Sequence, residues 1–168
     1  MNQTDKLIYQ WLQHSKEGYA RDKSELIKYE GLWSHLKKVI SDLKSKPDKD
    51  KFENDFLSYL MFTGTIYRYH KKFEPSYPYG IDFDGLNHSW TKQTDPKKMY
   101  ILNQDTKYLR ISRVLTYDDF GIDIIGYQDC GNKYGENINF GSPAIQDEQE
   151  IIYPLKDDGK NKFEIIKF

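Results

Sequence analysis

The chain has a single cysteine among its 168 residues, no excess of either charge and no long apolar run. One thiol excludes an internal disulfide and any zinc site built from several cysteines, and Cys130 reads as an incidental loop thiol. No stretch approaches the roughly 18 apolar residues of a membrane-spanning helix, so no membrane partner is expected. Lys and Arg number 25 against 26 Asp and Glu, a net charge of −1, so the chain is no global polycation for nucleic acid. Met1-Asn2-Gln3-Thr4-Asp5-Lys6 contains no basic region leading into an apolar run. A classical export signal is therefore not expected, and the reading is cytoplasmic, in the producing or a target cell. No Gly-x-x-x-x-Gly-Lys phosphate loop occurs, and Gly80, Gly85, Gly131, Gly135 and Gly141 read as turn glycines. His14, His35, His70 and His88 form no i,i+4 pair, so no metal site is expected.

What is present divides into two halves of one domain, residues 1–168. In residues 1–62, a helical front, apolar residues recur at helical spacing: Leu7, Ile8, Trp11 and Leu12; then Leu26, Tyr29, Leu32, Trp33, Leu36, Val39, Ile40 and Leu43; then Phe52, Phe56, Leu57, Leu60 and Met61. Gly18 and Lys46-Pro47-Asp48 separate the three stretches. In residues 63–168 the pattern changes to short runs rich in Ile, Tyr, Phe and Val, predicting strands over 64–70, 86–91, 107–115, 121–128, 149–153 and 162–168. Helices followed by strands imply an α+β fold.

Three polar features punctuate the β half. Arg68 lies in the predicted strand Gly64–His70; Ser89-Trp90-Thr91 follows about twenty residues later, and Glu148-Gln149-Glu150 about sixty residues after that, running into Ile151-Ile152-Tyr153-Pro154. If Glu148 and Glu150 lie two apart in a strand, they share one face. Taken singly, each has an ordinary explanation: an ion-paired arginine, turn hydroxyls, a solvated acidic strand edge. Their joint order carries more information.

An arginine strand, a Ser-x-Thr strand and a Glu-x-Glu opening a strand resemble the active-site series of the mono-ADP-ribosyltransferases of the Arg-Ser-Glu class. The resemblance covers roughly residues 60–168 and takes in Lys107–Ser112 as the strand between the Ser and Glu motifs and Lys162–Phe168 as the closing strand. Tyr69 departs from it, standing where many members have a small residue, and Thr91 stands where serine is commoner; residues 129–146 form a long loop before the Glu motif. The resemblance implies a mostly antiparallel, two-sheet β core and transfer of ADP-ribose from NAD to a macromolecular acceptor. That acceptor is a protein side chain, arginine ahead of other residues, or else an RNA or DNA base. It further implies a toxin, a toxin–antitoxin pair or a phage-related modifier as the setting, with an antitoxin or immunity partner.

Cleaving the bond between nicotinamide and ribose creates an oxocarbenium-like centre, which a neighbouring anion stabilises. By resemblance Glu150 is that anion, Ser89 holds its carboxylate, Thr91 supports the same strand, and Glu148 serves the acceptor. Arg68 offers a planar fork for the pyrophosphate or the adjoining ribose. Tyr67, Trp90, Tyr100 and Tyr108 offer rings for nicotinamide or adenine, and His88 adjoins the Ser motif. Lys71-Lys72 and Lys97-Lys98 would rim the site. NAD is the substrate expected and no metal is required. The reading from another class is a non-enzymatic binding or immunity-type protein.

Overall fold

The computed structural model describes residues 4–6, 8, 11, 23–99, 102–140 and 147–168. Helical residues among 4–11 include Ile8 and Trp11, both fully buried; Leu7, Leu12, His14 and Gly18 lie outside the described residues. Helix α1 (Lys23–Ser45) buries Leu32, Trp33, Leu36 and Ile40 on one face, as their 3.6-residue spacing requires. Trp33 meets Tyr153 of the sheet edge to face at 6.0 Å. Helix α2 (Lys51–Leu60) starts where Asp50 accepts a bond from Glu53 N at 2.8 Å and Glu53 accepts one from Asp50 N at 3.0 Å, a reciprocal cap of two otherwise orphaned donors. The chain leaves α2 directly into the short strand β1 (Met61–Phe62), so the helical front ends at Leu60.

The strands that follow are β2 (Gly64–His70), β3 (Asp84–Thr91), β4 (Lys107–Leu115), β5 (Gly121–Asp123), β6 (Glu150–Lys156) and β7 (Lys162–Lys167). Helix α3 (Ile124–Lys133) lies between β5 and β6. The protein is thus mixed α and β, and among the described residues no helix is long and apolar enough to cross a membrane.

Several expectations need correction. The strands form one sheet of seven among the described residues, not two, in the order β1-β5-β6-β3-β2-β4-β7, and every pairing is antiparallel. Its halves are joined by one partner pair, Tyr67 opposite Thr91, between β2 and β3. The expected strand over 121–128 stops at Asp123, whose side chain accepts from Gly126 N at 2.9 Å and starts α3. Ile124, Ile125 and Tyr127 are buried there as helix residues. Cys130 is accordingly a buried helix residue rather than a loop thiol, and burial pushes its pKa up. Gly131 likewise sits inside α3, and Gly85 lies within β3, its φ of 72° falling where the register shifts between Asp84 and Asn87, whereas Gly80 and Gly135 are turn glycines with left-handed φ. Gly141 lies outside the described residues.

Strand β6 runs through Pro154 instead of closing on it. The missing N–H is tolerated because β5 pairs only with Ile151 and Ile152, and because the β3 register shifts between Asp84 and Asn87, opposite that end of β6.

Candidate functional site

Strand order brings the three motifs together: β6 with Glu150, β3 with Ser89 and Thr91, and β2 with Arg68 are consecutive in the sheet. Partners directly opposite each other in an antiparallel ladder project from the same face. Glu150 opposes Thr91, Thr91 opposes Tyr67, Tyr67 opposes Ser112, and Ser112 opposes Lys162. These five residues form one row across five strands. Ser89, two residues from Thr91, shares that face and lies diagonal to Glu150.

The same register separates the other expected site residues from Glu150. Arg68 and Trp90 are each one residue from the row, so they project from the opposite face, and so does His88, two residues from Trp90. There Arg68 Nε donates to His70 Nε2 at 3.1 Å and Nη1 donates to the Ser89 carbonyl at 2.6 Å. That carbonyl lies where the β2–β3 ladder has run out. Burial, and after it the positive charge of Arg68, lowers the His70 pKa from 6.5 to about 3. His70 is therefore a neutral acceptor for Arg68. His88 Nε2 lies 3.1 Å from Asp84 Oδ1. Trp90 is a core residue, donating to the Tyr153 carbonyl at 3.0 Å.

Glu150 is 2 % exposed and accepts a hydrogen bond from the indole Nε1 of Trp11. Glu148 is not on the strand. Residues 147–148 are helical and Gln149 has a left-handed φ of 46°, so Glu148 precedes β6 and the shared strand face expected for Glu148 and Glu150 does not form. Thr91 holds this turn: its hydroxyl donates to the Glu148 carbonyl at 2.5 Å and accepts from Gln93 N at 2.9 Å, while Lys92 N donates to the Gln149 carbonyl at 3.2 Å. Thr91 thereby fixes where the Glu motif enters β6.

Sequence reasoning passed over three participants. Trp11 reads as core in a helical stretch, and nothing local announces its bond to Glu150. Arg110, on β4, places its guanidinium over the Tyr67 ring at 5.6 Å. Tyr69, noted only as a departure from the family pattern, lies opposite Arg110 and next to Tyr108. Tyr108 is buried, its hydroxyl accepting from Asn103 N at 2.9 Å and its ring stacked on Phe168, and Tyr100 lies outside the described residues. Lys71, Lys72, Lys97 and Lys98 are exposed. Among the described residues no group of three or more His, Cys, Asp or Glu is arranged to hold a metal ion. Comparison with protein-family models, with curated proteins and with solved structures gave no match in any of the three.

Proposed function

We propose that this chain is an NAD-dependent mono-ADP-ribosyltransferase in which Glu150 is the catalytic carboxylate. The observation that carries the reading is the direct pairing of the Glu150 strand with the Ser89–Thr91 strand, and of that strand with the Arg68 strand. Three motifs far apart in sequence thus meet at the place where the sheet is held by one partner pair.

In the proposed reaction the bond between the ribose anomeric carbon and nicotinamide breaks, and its electron pair leaves with the nicotinamide nitrogen. The cationic ribose is stabilised by the Glu150 carboxylate, whose burial strengthens the attraction. A nucleophile of the acceptor then bonds to the anomeric carbon, and Glu148, half-buried at the mouth of β6, takes the proton it loses. Ser89 lies diagonal to Glu150 for orienting its carboxylate, and Tyr67 offers a ring on the same face. Arg68, engaged with His70 and Ser89 O, ties β2 to β3. The acceptor proposed is a protein side chain, arginine ahead of a nucleic-acid base. A small transferase of this kind fits a toxin or phage-related modifier working in a cytoplasm, by analogy with its class.

One observation favours the other class, a binding or immunity-type protein: Glu150 is enclosed and its carboxylate is met by Trp11. Two measurements separate the readings. The transferase gains thermal stability with NAD and releases nicotinamide, and Glu150→Gln abolishes the release while staying folded. A binding protein shows neither response, and nicotinamide release undiminished in Glu150→Gln removes Glu150 from the reaction.

A further inference from the structure

We propose that Arg110, rather than Arg68, is the anion-binding guanidinium of this site, and that it takes the pyrophosphate group of a dinucleotide. The dinucleotide rests on the transferase reading; the anion site does not.

The first ground is the register. Arg110 opposes Tyr69 on one side and Glu164 on the other, so it stands on the Glu150 face, one row from the line Glu150, Thr91, Tyr67, Ser112 and Lys162. Its position over the Tyr67 ring confirms that both side chains leave the same face. Arg68 projects from the opposite face.

The second ground is chemistry left unused. Arg110 Nε and Nη2 both donate to one oxygen of Glu164, Oε2, at 3.1 and 2.6 Å. A guanidinium has further N–H donors in the same plane, and its fork matches phosphate oxygens. Its side chain remains 24 % exposed, so solvent and a ligand reach it. Lys162 Nζ lies 3.5 Å from Glu164 Oε1, so two cations share one carboxylate. Asp95, whose charge also reaches the Tyr69 hydroxyl, offsets one of these cations, and Ser112 adds a hydroxyl on the same face.

The third ground is the Tyr69 hydroxyl. It is buried and makes no bond of good hydrogen-bond geometry; its contact is with the Arg110 guanidinium, so a ligand oxygen held there would meet a second donor. Burial raises the Tyr69 pKa and Arg110 opposes the rise, which places the hydroxyl within the field of that guanidinium. Glu164 then acts as a stand-in anion that the ligand displaces or shares.

The test is titration of the full chain with inorganic pyrophosphate, and separately with NAD, followed by calorimetry. Arg110→Ala should lose about tenfold or more in pyrophosphate affinity, and Arg110→Lys should fall between it and the parent, because a point charge replaces a fork. Glu164→Gln should bind several-fold tighter, since the competing carboxylate is gone; a purely structural ion pair predicts no gain. Arg68→Ala should stay within about twofold of the parent. No binding of pyrophosphate to the parent, undiminished binding in Arg110→Ala, or weaker binding in Glu164→Gln overturns the assignment. If Arg110→Ala fails to fold, Glu164→Gln alone decides. Pyrophosphate binding at Arg110 without nicotinamide release sinks the transferase reading and leaves the anion site standing. Nicotinamide release with an unchanged KM for NAD in Arg110→Ala does the reverse.

Discussion

The indole N–H of Trp11 donates to the carboxylate of Glu150, 139 residues away in sequence, and both side chains are enclosed. A second buried bond, Tyr127 hydroxyl to Asp5 at 2.8 Å, ties the same N-terminal stretch to α3. Together they fasten the start of the chain over the strand that carries the Glu motif. A buried carboxylate is tolerated only when donors meet it.

Trp11→Phe keeps most of the ring volume and removes the donor. It should cost about 1–3 kcal/mol, the penalty for leaving a buried acceptor short of a partner. Denaturant midpoints of Trp11→Phe, Glu150→Ala, which removes the acceptor, and the double variant form a cycle whose coupling energy reports the bond. Strict additivity would show that the contact contributes nothing.

The two acidic residues of the Glu motif should separate by reaction. Glu148→Gln is expected to suppress labelling of an acceptor while slow hydrolysis of NAD persists, because water needs less positioning than a side chain does. Glu150→Gln should suppress both. Nicotinamide release and acceptor labelling measured in the same samples decide it, and equal loss of both activities in Glu148→Gln removes the division of labour.

His70 should make the protein sensitive to mild acid. Its folded-state pKa of about 3 lies below its value of 6.5 in an unfolded chain, so between those values the unfolded chain binds a proton that the folded one refuses. Stability from this group is complete above pH 6.5 and declines as pH falls toward 3. His70→Gln, which retains an acceptor for Arg68, should lose less stability between pH 7 and about pH 5 than the parent does. Urea midpoints at the two pH values test this; parallel losses would mean that His70 does not carry the effect.

Two glycines should respond in opposite directions to alanine. A Cβ at Gly126 would sit 1.7 Å from the Tyr59 carbonyl oxygen, where α3 passes the end of α2, and Gly126→Ala should cost about 3 kcal/mol or more through forced separation of backbones. A Cβ at Gly31 meets nothing within 4 Å, and Gly31→Ala in the interior of α1 should stabilise by about 0.5–1 kcal/mol. Thermal melts of the two variants give both signs.

The amino-acid sequence by itself determined the local elements whose signals are periodic and long. Residues 64–70 and 107–115 form strands with the bounds that their β-branched and aromatic runs imply, and Leu32, Leu36 and Ile40 share the helical face that their spacing dictates. Residues 121–128 were misleading because Ile122, Ile124 and Ile125 read as strand, while one carboxylate, Asp123, caps a helix and overrides the propensity of its neighbours. The order Arg, Ser, Glu was legible along the chain, but the faces were not. A strand has a period of two, so a shift of one residue in the pairing of Tyr67 with Thr91 would reverse which of Arg68 and Tyr67 accompanies Glu150. Only tertiary structure decides that register, since it depends on strands about twenty residues apart meeting at one pair. It likewise set Trp11 against Glu150 and Arg110 beside Tyr69, contacts made between segments that no local pattern relates.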